Sequence, residues 1–129
     1  MKITGTFNVI LNPIDSYTKG EEGVKLGRMS IEKTWNGELK AKSKGEMLSA
    51  MTPIKGSAGY VAIEQVTGSL AGKSGSFVLQ HYGVMDKGED SLVLEVVPDS
   101  GTDELKGLTG KMAIRIEEGN HFYDFEFDL

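Results

Sequence analysis

The chain has 129 residues, with 14 Lys and Arg against 19 Asp and Glu, for a net charge of −5. A single domain of that length buries roughly two thirds of its unfolded surface, and the acidic balance argues against a nucleic-acid partner, which needs a basic surface to displace counterions from phosphate. The absence of cysteine excludes disulfides, thiolate catalysis and Cys-ligated zinc.

The first residues enter an alternating pattern at once, with no apolar run of signal-peptide type. No stretch approaches the ~20 apolar residues of a membrane helix. With no cysteine either, the expectation is a cytoplasmic protein with no membrane partner.

Seventeen glycines punctuate the chain, roughly twice the usual share. They separate segments in which apolar and polar residues alternate, the mark of antiparallel strands joined by tight turns. The first strand is expected over 3–11, with Ile3, Phe7, Val9 and Leu11 on one face. Residues 12–24 are polar and turn-rich and read as a long loop. A second strand is expected over 25–35. Asn36-Gly37 suits a type I′ hairpin turn into a third strand over 38–51, kinked at Gly45. After a loop holding Thr52-Pro53 and Lys55-Gly56, strands four and five are expected over 60–67 and 76–85. Asp86-Lys87-Gly88 turns into strand six over 91–97, and residues 98–102 make a compact turn. Strands seven and eight follow over 111–117 and 121–129, around Glu118-Gly119-Asn120. Similar segments lead into Gly45, Gly75 and Gly110, as repeated hairpins with glycine corners would.

No segment keeps a 3.6-residue apolar period over ten positions, leaving only short turns near 46–50 and 103–108 as helical candidates. Eight strands put more than half of the chain in sheet, too much for a sandwich with long loops and natural for a small closed barrel. The expected fold is all-β: one domain over 1–129, a small eight-stranded antiparallel barrel.

None of the established catalytic motifs is present: no GxSxG, P-loop, HExxH or GxGxxG before a helix. The lead comes from parity, because residues two apart share a strand face. In strand eight, His121, Tyr123, Phe125, Phe127 and Leu129 share the apolar face. In strand five, Phe77, Leu79, His81, Gly83 and Met85 do so, and in strand two Met29, Ile31, Lys33 and Trp35. Both histidines and Lys33 are thereby directed into one lumen. Strand four is apolar on both faces, which leaves Glu64 and Gln65 as alternatives for the inward position. An inward Glu64 is the natural counter-charge for Lys33 or a histidine, since an unpaired buried charge is expensive. Glu46 falls opposite Met47 and is less suited to the interior.

Plainer roles stand beside these. His121, first in its strand, suits a hydrogen bond at the barrel rim. His81 suits a satisfied core residue as well as a ligand contact. Lys33 suits a snorkelling side chain, and Trp35 a cap beside its turn. Asp124, Glu126 and Asp128 read as a solvated face. The two histidines lack metal-ligand spacing, so no metal and no cofactor is expected.

Several longer strings occur in order: Gly45-Glu-Met-Leu-Ser, Gly56-Ser-Ala-Gly-Tyr-Val-Ala-Ile-Glu64, Gly75-Ser-Phe-Val-Leu-Gln-His81 and Val96-Val-Pro-Asp-Ser-Gly-Thr102, then Gly107-Leu-Thr-Gly110 and His121-Phe-Tyr123. Over nearly the whole chain they resemble a bacterial family known only as a domain of unknown function. That family is similar in fold to allene oxide cyclase, so the resemblance implies an eight-stranded antiparallel barrel of lipocalin-like shape. Plant allene oxide cyclase holds an apolar fatty-acid epoxide in its barrel, but no shared residue motif carries that activity to this chain.

Three functional readings follow. One is a barrel binding a small apolar or amphipathic molecule in its lumen, with His81, His121, Tyr123, Lys33 and Glu64 as polar contacts and Trp35 near the mouth. Another is an isomerase or cyclase with a histidine acid/base oriented by Glu64. The third is a filled barrel that self-associates as a homo-oligomer through an outer patch at Val78, Tyr82 and Val84.

Overall fold

Alternation of apolar and polar residues produces eight strands: β1 (Lys2–Ile14), β2 (Lys25–Asn36), β3 (Leu39–Met51), β4 (Ala58–Leu70), β5 (Lys73–Asp86), β6 (Glu89–Val96), β7 (Thr109–Glu117) and β8 (Asn120–Asp128). The structure, a computed structural model, describes residues 1–129. Each strand runs antiparallel to the next, and β1 closes the barrel against β8 from Lys2↔Glu126 to Phe7↔His121. The only helix is a 3₁₀ turn at Asp103–Leu105, and no helix is long and apolar enough to cross a membrane.

Parity holds where it matters. Ile31, Lys33 and Trp35 of β2, Phe77, Leu79 and His81 of β5, and Tyr123, Phe125 and Phe127 of β8 are buried. Leu11, Met85 and Leu129 are exposed instead, because they lie toward the strand ends, where the barrel no longer packs over them.

The two ends of the lumen differ. One end carries the β2–β3 and β4–β5 turns and the 97–108 connection, and there 17 buried apolar residues form one core. Leu105 and Leu108, from the segment around the 3₁₀ turn, are part of it and plug that end. The opposite end carries the 15–24 loop and the β3–β4, β5–β6 and β7–β8 turns. It is not filled.

Several boundaries differ from expectation. Strand β1 continues through Asn12 and Pro13 to Ile14, opposite Arg28–Ser30 of β2, so the loop is shorter than the polar run 12–24. Pairing with β8 stops at Phe7, leaving β1 with one neighbour there, where a proline's missing N–H is tolerated. Strands β4 and β5 meet at Ala71-Gly72, and Gly68 and Gly75 are register partners inside the ladder. Residues 46–50 are strand. Asn36-Gly37 does not make a two-residue turn: Gly37 alone of the pair has positive φ, and Trp35 pairs with Ala41. Gly45 continues an unbroken ladder between Ile31 and Glu64, with no kink in the pairing.

The barrel's seam is the weakest closure. Strands β4 and β5 pair from Ala58↔Met85 to Leu70↔Lys73, whereas β6 and β7 share only Glu95↔Lys111. Backbone groups that lack a ladder partner are the first to open to solvent. Amide hydrogen exchange is therefore expected to be fastest, among strand amides, at the seam-facing positions of β6 and β7, and slowest in β3–β5. Uniform protection around the barrel would contradict this.

Candidate functional site

The inward row of β3 becomes small at mid-barrel: Ala41, Ser43, Gly45. Gly45 stands opposite Glu64, and a Cβ on it would lie 2.6 Å from Glu64 Cα and 2.7 Å from its Cβ. The space that β3 leaves empty is occupied by two long side chains, Lys33 from β2 and Glu64 from β4. Glu64 is 0% exposed and Lys33 8%.

A closed polar network surrounds the Glu64 carboxylate. Lys33 Nζ donates to Oε2 at 2.8 Å, Ser43 Oγ donates to Oε1 at 2.7 Å, and His81 Nε2 meets Oε2 at 2.5 Å. Trp35 Nε1 donates to Ser43 Oγ at 3.1 Å. The Lys33 ammonium also lies 5.1 Å and 5.0 Å from the ring centroids of Phe7 and Trp35, a cation–π arrangement on both. On the far side of the imidazole, His81 Nδ1 is 3.2 Å from the Tyr60 hydroxyl. No buried side-chain nitrogen or oxygen lacks a partner.

Burial by itself would push the Glu64 carboxyl up. The hydrogen bond from His81, the charge and hydrogen bond of Lys33, and the Ser43 hydroxyl outweigh it and hold the group at about 2. Burial, reinforced by the Glu64 charge, pushes the Tyr60 hydroxyl up, so it remains protonated at neutral pH.

Above this cluster the open end forms a recess of about 770 Å³, walled by Met29, Met47, Met85, Leu92 and Ile114 with Tyr60. That volume lies in the range of small-molecule sites. Register sets the depth: Tyr60↔Gly83 is nearest the mouth, then Ala62↔His81, then Glu64↔Leu79. Gly83 has no side chain because the Tyr60 ring lies against it; a Cβ there would be 2.9 Å from Tyr60 Cδ1. Tyr60 thus joins the recess to the buried network. A second recess of about 730 Å³, at the closed end beside Lys2, Glu95, Lys111 and Glu126, is polar and has no buried ionisable group in its wall.

The candidate residues separate into three places. Lys33, Glu64 and His81 come together, with Trp35 attached through Ser43. Trp35 is buried under the β2–β3 hairpin and not at the open mouth. His121 lies half-buried near the open end with its ring 5.2 Å from Phe7, outside the network. Tyr123 is at the closed end, where its hydroxyl donates to Asn36 O at 3.0 Å and accepts from Leu39 N–H at 3.3 Å. It is therefore a clasp on the hairpin and not a contact in the recess. Glu46 faces outward, accepting from Arg28 Nε at 2.6 Å. Asp124 lies on the outer face with Arg115.

A family model described as a protein of unknown function, DUF3224, matches residues 3–127. The chain belongs to the DUF3224 family. Its barrel is similar to the crystal structure of a DUF3224 protein of unknown function from Shewanella oneidensis MR-1, at 61% identity and a TM-score of 0.98, over 100% of this chain and 96% of that one. No curated protein matches the chain. The resemblance of the sequence strings to a family of unknown function and the eight-stranded barrel are thereby both established.

Two members of the network, Tyr60 and Ser43, are not among the sequence candidates. Tyr60 shares strand parity with Glu64, and that signal was available. Ser43 depended on the β2–β3 register: a two-residue turn at Asn36-Gly37 would have set Lys40 opposite Lys33, whereas the structure sets Ser43 there.

Because Glu64 is held at about 2 against an ordinary 4.5, its ionised form contributes about 3 kcal/mol of folding stability. That contribution is complete above pH 4.5 and is lost as pH falls towards 2. At neutral pH, Glu64→Gln is expected to cost about 3–5 kcal/mol, because it leaves Lys33 buried without its counter-charge. The Lys33→Met/Glu64→Leu double variant should cost less than the single one. Denaturant unfolding from pH 7 to pH 3 tests both points: the gap between wild type and Glu64→Gln must narrow as pH falls.

Proposed function

We propose that this protein binds one small apolar or amphipathic molecule in the open half of its barrel, with Tyr60 as the polar handle. The observation that carries the reading is the divided lumen: a packed half, a floor of satisfied polar groups, and an unfilled apolar half of ligand size. Methionines in the wall are flexible and polarisable, and suit a ligand of irregular shape. Lys33, Ser43, Glu64 and Trp35 hold His81, and His81 holds Tyr60. At the level of fold alone, the allene-oxide-cyclase-like barrel that the sequence resemblance implies supports the same reading, since the plant enzyme's lumen takes an apolar fatty-acid derivative.

A second reading, an isomerase or cyclase with an acid/base group in the lumen, draws on one feature. Tyr60, His81 and Glu64 stand in the order hydroxyl, imidazole, carboxylate, which suits proton transfer at the recess floor. A cytoplasmic site of action, expected from the lack of cysteine, and self-association belong to the proposal too.

Self-association would use the outer row Leu48, Val61, Tyr82 and Val93, which stand opposite one another across β3–β6 and are exposed. Of the outer-patch candidates, Tyr82 and Val84 are exposed. Val78 is half-buried, its backbone N–H bonded to Ser100 Oγ. If the row is an interface, light scattering will give an oligomer mass for wild type and a monomer mass for Tyr82→Lys. A monomeric wild type removes the self-association proposal.

N-phenyl-1-naphthylamine, an apolar fluorescent probe, tests the ligand reading. It is expected to bind saturably with one site per chain, and Ala58→Trp, which places an indole in the recess, is expected to weaken it at least about tenfold. No saturable binding, or equal binding by Ala58→Trp, would overturn the lumen as the site.

A further inference from the structure

The polar network fixes the direction of its hydrogen bonds, and with it what Tyr60 presents to the recess. An ionised carboxylate only accepts. His81 Nε2, 2.5 Å from Glu64 Oε2, therefore carries a hydrogen. Lys33 Nζ occupies the same oxygen at 2.8 Å. A further proton on Nδ1 would make His81 a second buried cation around a single buried anion. No other charged side chain is buried, and the nearby Arg28 and Glu46 pair with each other on the outer face. A net buried charge without a counter-ion is costly, so the imidazole is neutral and Nδ1 holds a lone pair.

That lone pair faces the Tyr60 hydroxyl at 3.2 Å, so the hydroxyl donates to it. A phenol has one hydrogen to give. Once it is committed to Nδ1, Tyr60 has only oxygen lone pairs left to present to the recess it lines. Lys33 lies below, engaged with Glu64, and offers no positive charge to a ligand. Asp90, which also borders the recess, adds negative charge there.

We infer that the recess selects apolar molecules that bring a hydrogen-bond donor, an aliphatic or aromatic alcohol above all, over ketones and carboxylates of the same size. The inference rests on the ligand-binding reading and names the ligand class for that site. An alcohol's O–H completes the chain ligand→Tyr60→His81→Glu64. A ketone brings a second acceptor against the Tyr60 oxygen, and a carboxylate adds a charge that nothing in the recess offsets.

Matched ten-carbon competitors decide it. In displacement of N-phenyl-1-naphthylamine from wild-type protein, 1-decanol is expected to compete about tenfold better than 2-decanone, the value of one well-placed hydrogen bond, and better still than decanoate. Tyr60→Phe should bind the probe as wild type does and bring 1-decanol and 2-decanone to the same potency. Long-range ¹H–¹⁵N correlation of the histidine rings at neutral pH, read without any ligand, should find hydrogen on His81 Nε2 and none on Nδ1. A protonated Nδ1, or 2-decanone or decanoate competing as well as 1-decanol while the probe binds, overturns the donor selectivity and leaves the lumen reading standing. Failure of the probe to bind wild type overturns both.

Discussion

A carboxylate with no solvent exposure, placed at mid-barrel, is the constraint on which the rest of the structure turns. Glu64 accepts from Lys33 on β2, Ser43 on β3 and His81 on β5, so its burial ties four consecutive strands to one another. A slip of one residue in any of their ladders would exchange the inward and outward faces and leave a charge buried alone, at a cost of several kcal/mol. The same four strands are each longer than any of β6, β7 and β8, and their ladders run unbroken. Register specificity and the candidate site are therefore one feature of the chain.

Space for the network comes from what is missing. An eight-stranded barrel has an interior just wide enough to be filled by side chains, and at the closed end Trp35, Phe77, Tyr123, Phe125 and Phe127 fill it. At mid-height, Ala41, Ser43 and Gly45 give up volume, and Lys33 and Glu64 occupy it. Toward the mouth, Gly83 gives up volume again and the Tyr60 ring lies over it. The large side chains come from β2, β5 and β8 at the bottom, from β2, β4 and β5 in the middle, and from β4 at Tyr60 above. The recess begins where no further large residue enters.

Strand identity and facing were legible in the residues because alternation with period two is a local property. Parity alone directs Lys33, His81 and Trp35 inward, but it leaves Glu64 and Gln65 as alternatives, and only the strand register puts Glu64 inside. Height along the barrel axis was not legible, because it depends on how strands are staggered. Tyr123 and His121 stand two residues apart on one inward face, yet one closes the β2–β3 hairpin and the other sits near the mouth. Register was hidden by a turn: Asn36-Gly37 suggested a tight hairpin, and the wider loop in the structure exchanged Lys40 for Ser43 opposite Lys33. The polar run 12–24 likewise hides the end of β1, which continues to Ile14, since polar composition marks a solvated strand end as readily as a loop.

The barrel's stiff and loose walls face each other across the lumen. Strands β2–β5, locked by the Glu64 network, lie on the side that carries Tyr60, while the β6–β7 seam, with its single ladder pair, lies on the opposite side. The recess takes its lining from both, with Met29, Met47 and Tyr60 on one and Leu92, Ile114 and Ile116 on the other. Orienting groups work best on rigid elements supported by a second layer of hydrogen bonds, and Tyr60 has that support through His81. Adaptation to a ligand's shape calls for a region of low local stability, and the seam has the fewest backbone bonds to break. An apolar body can thus be accommodated on the yielding side while its polar end is read on the fixed one, which separates the admission of a molecule from its discrimination.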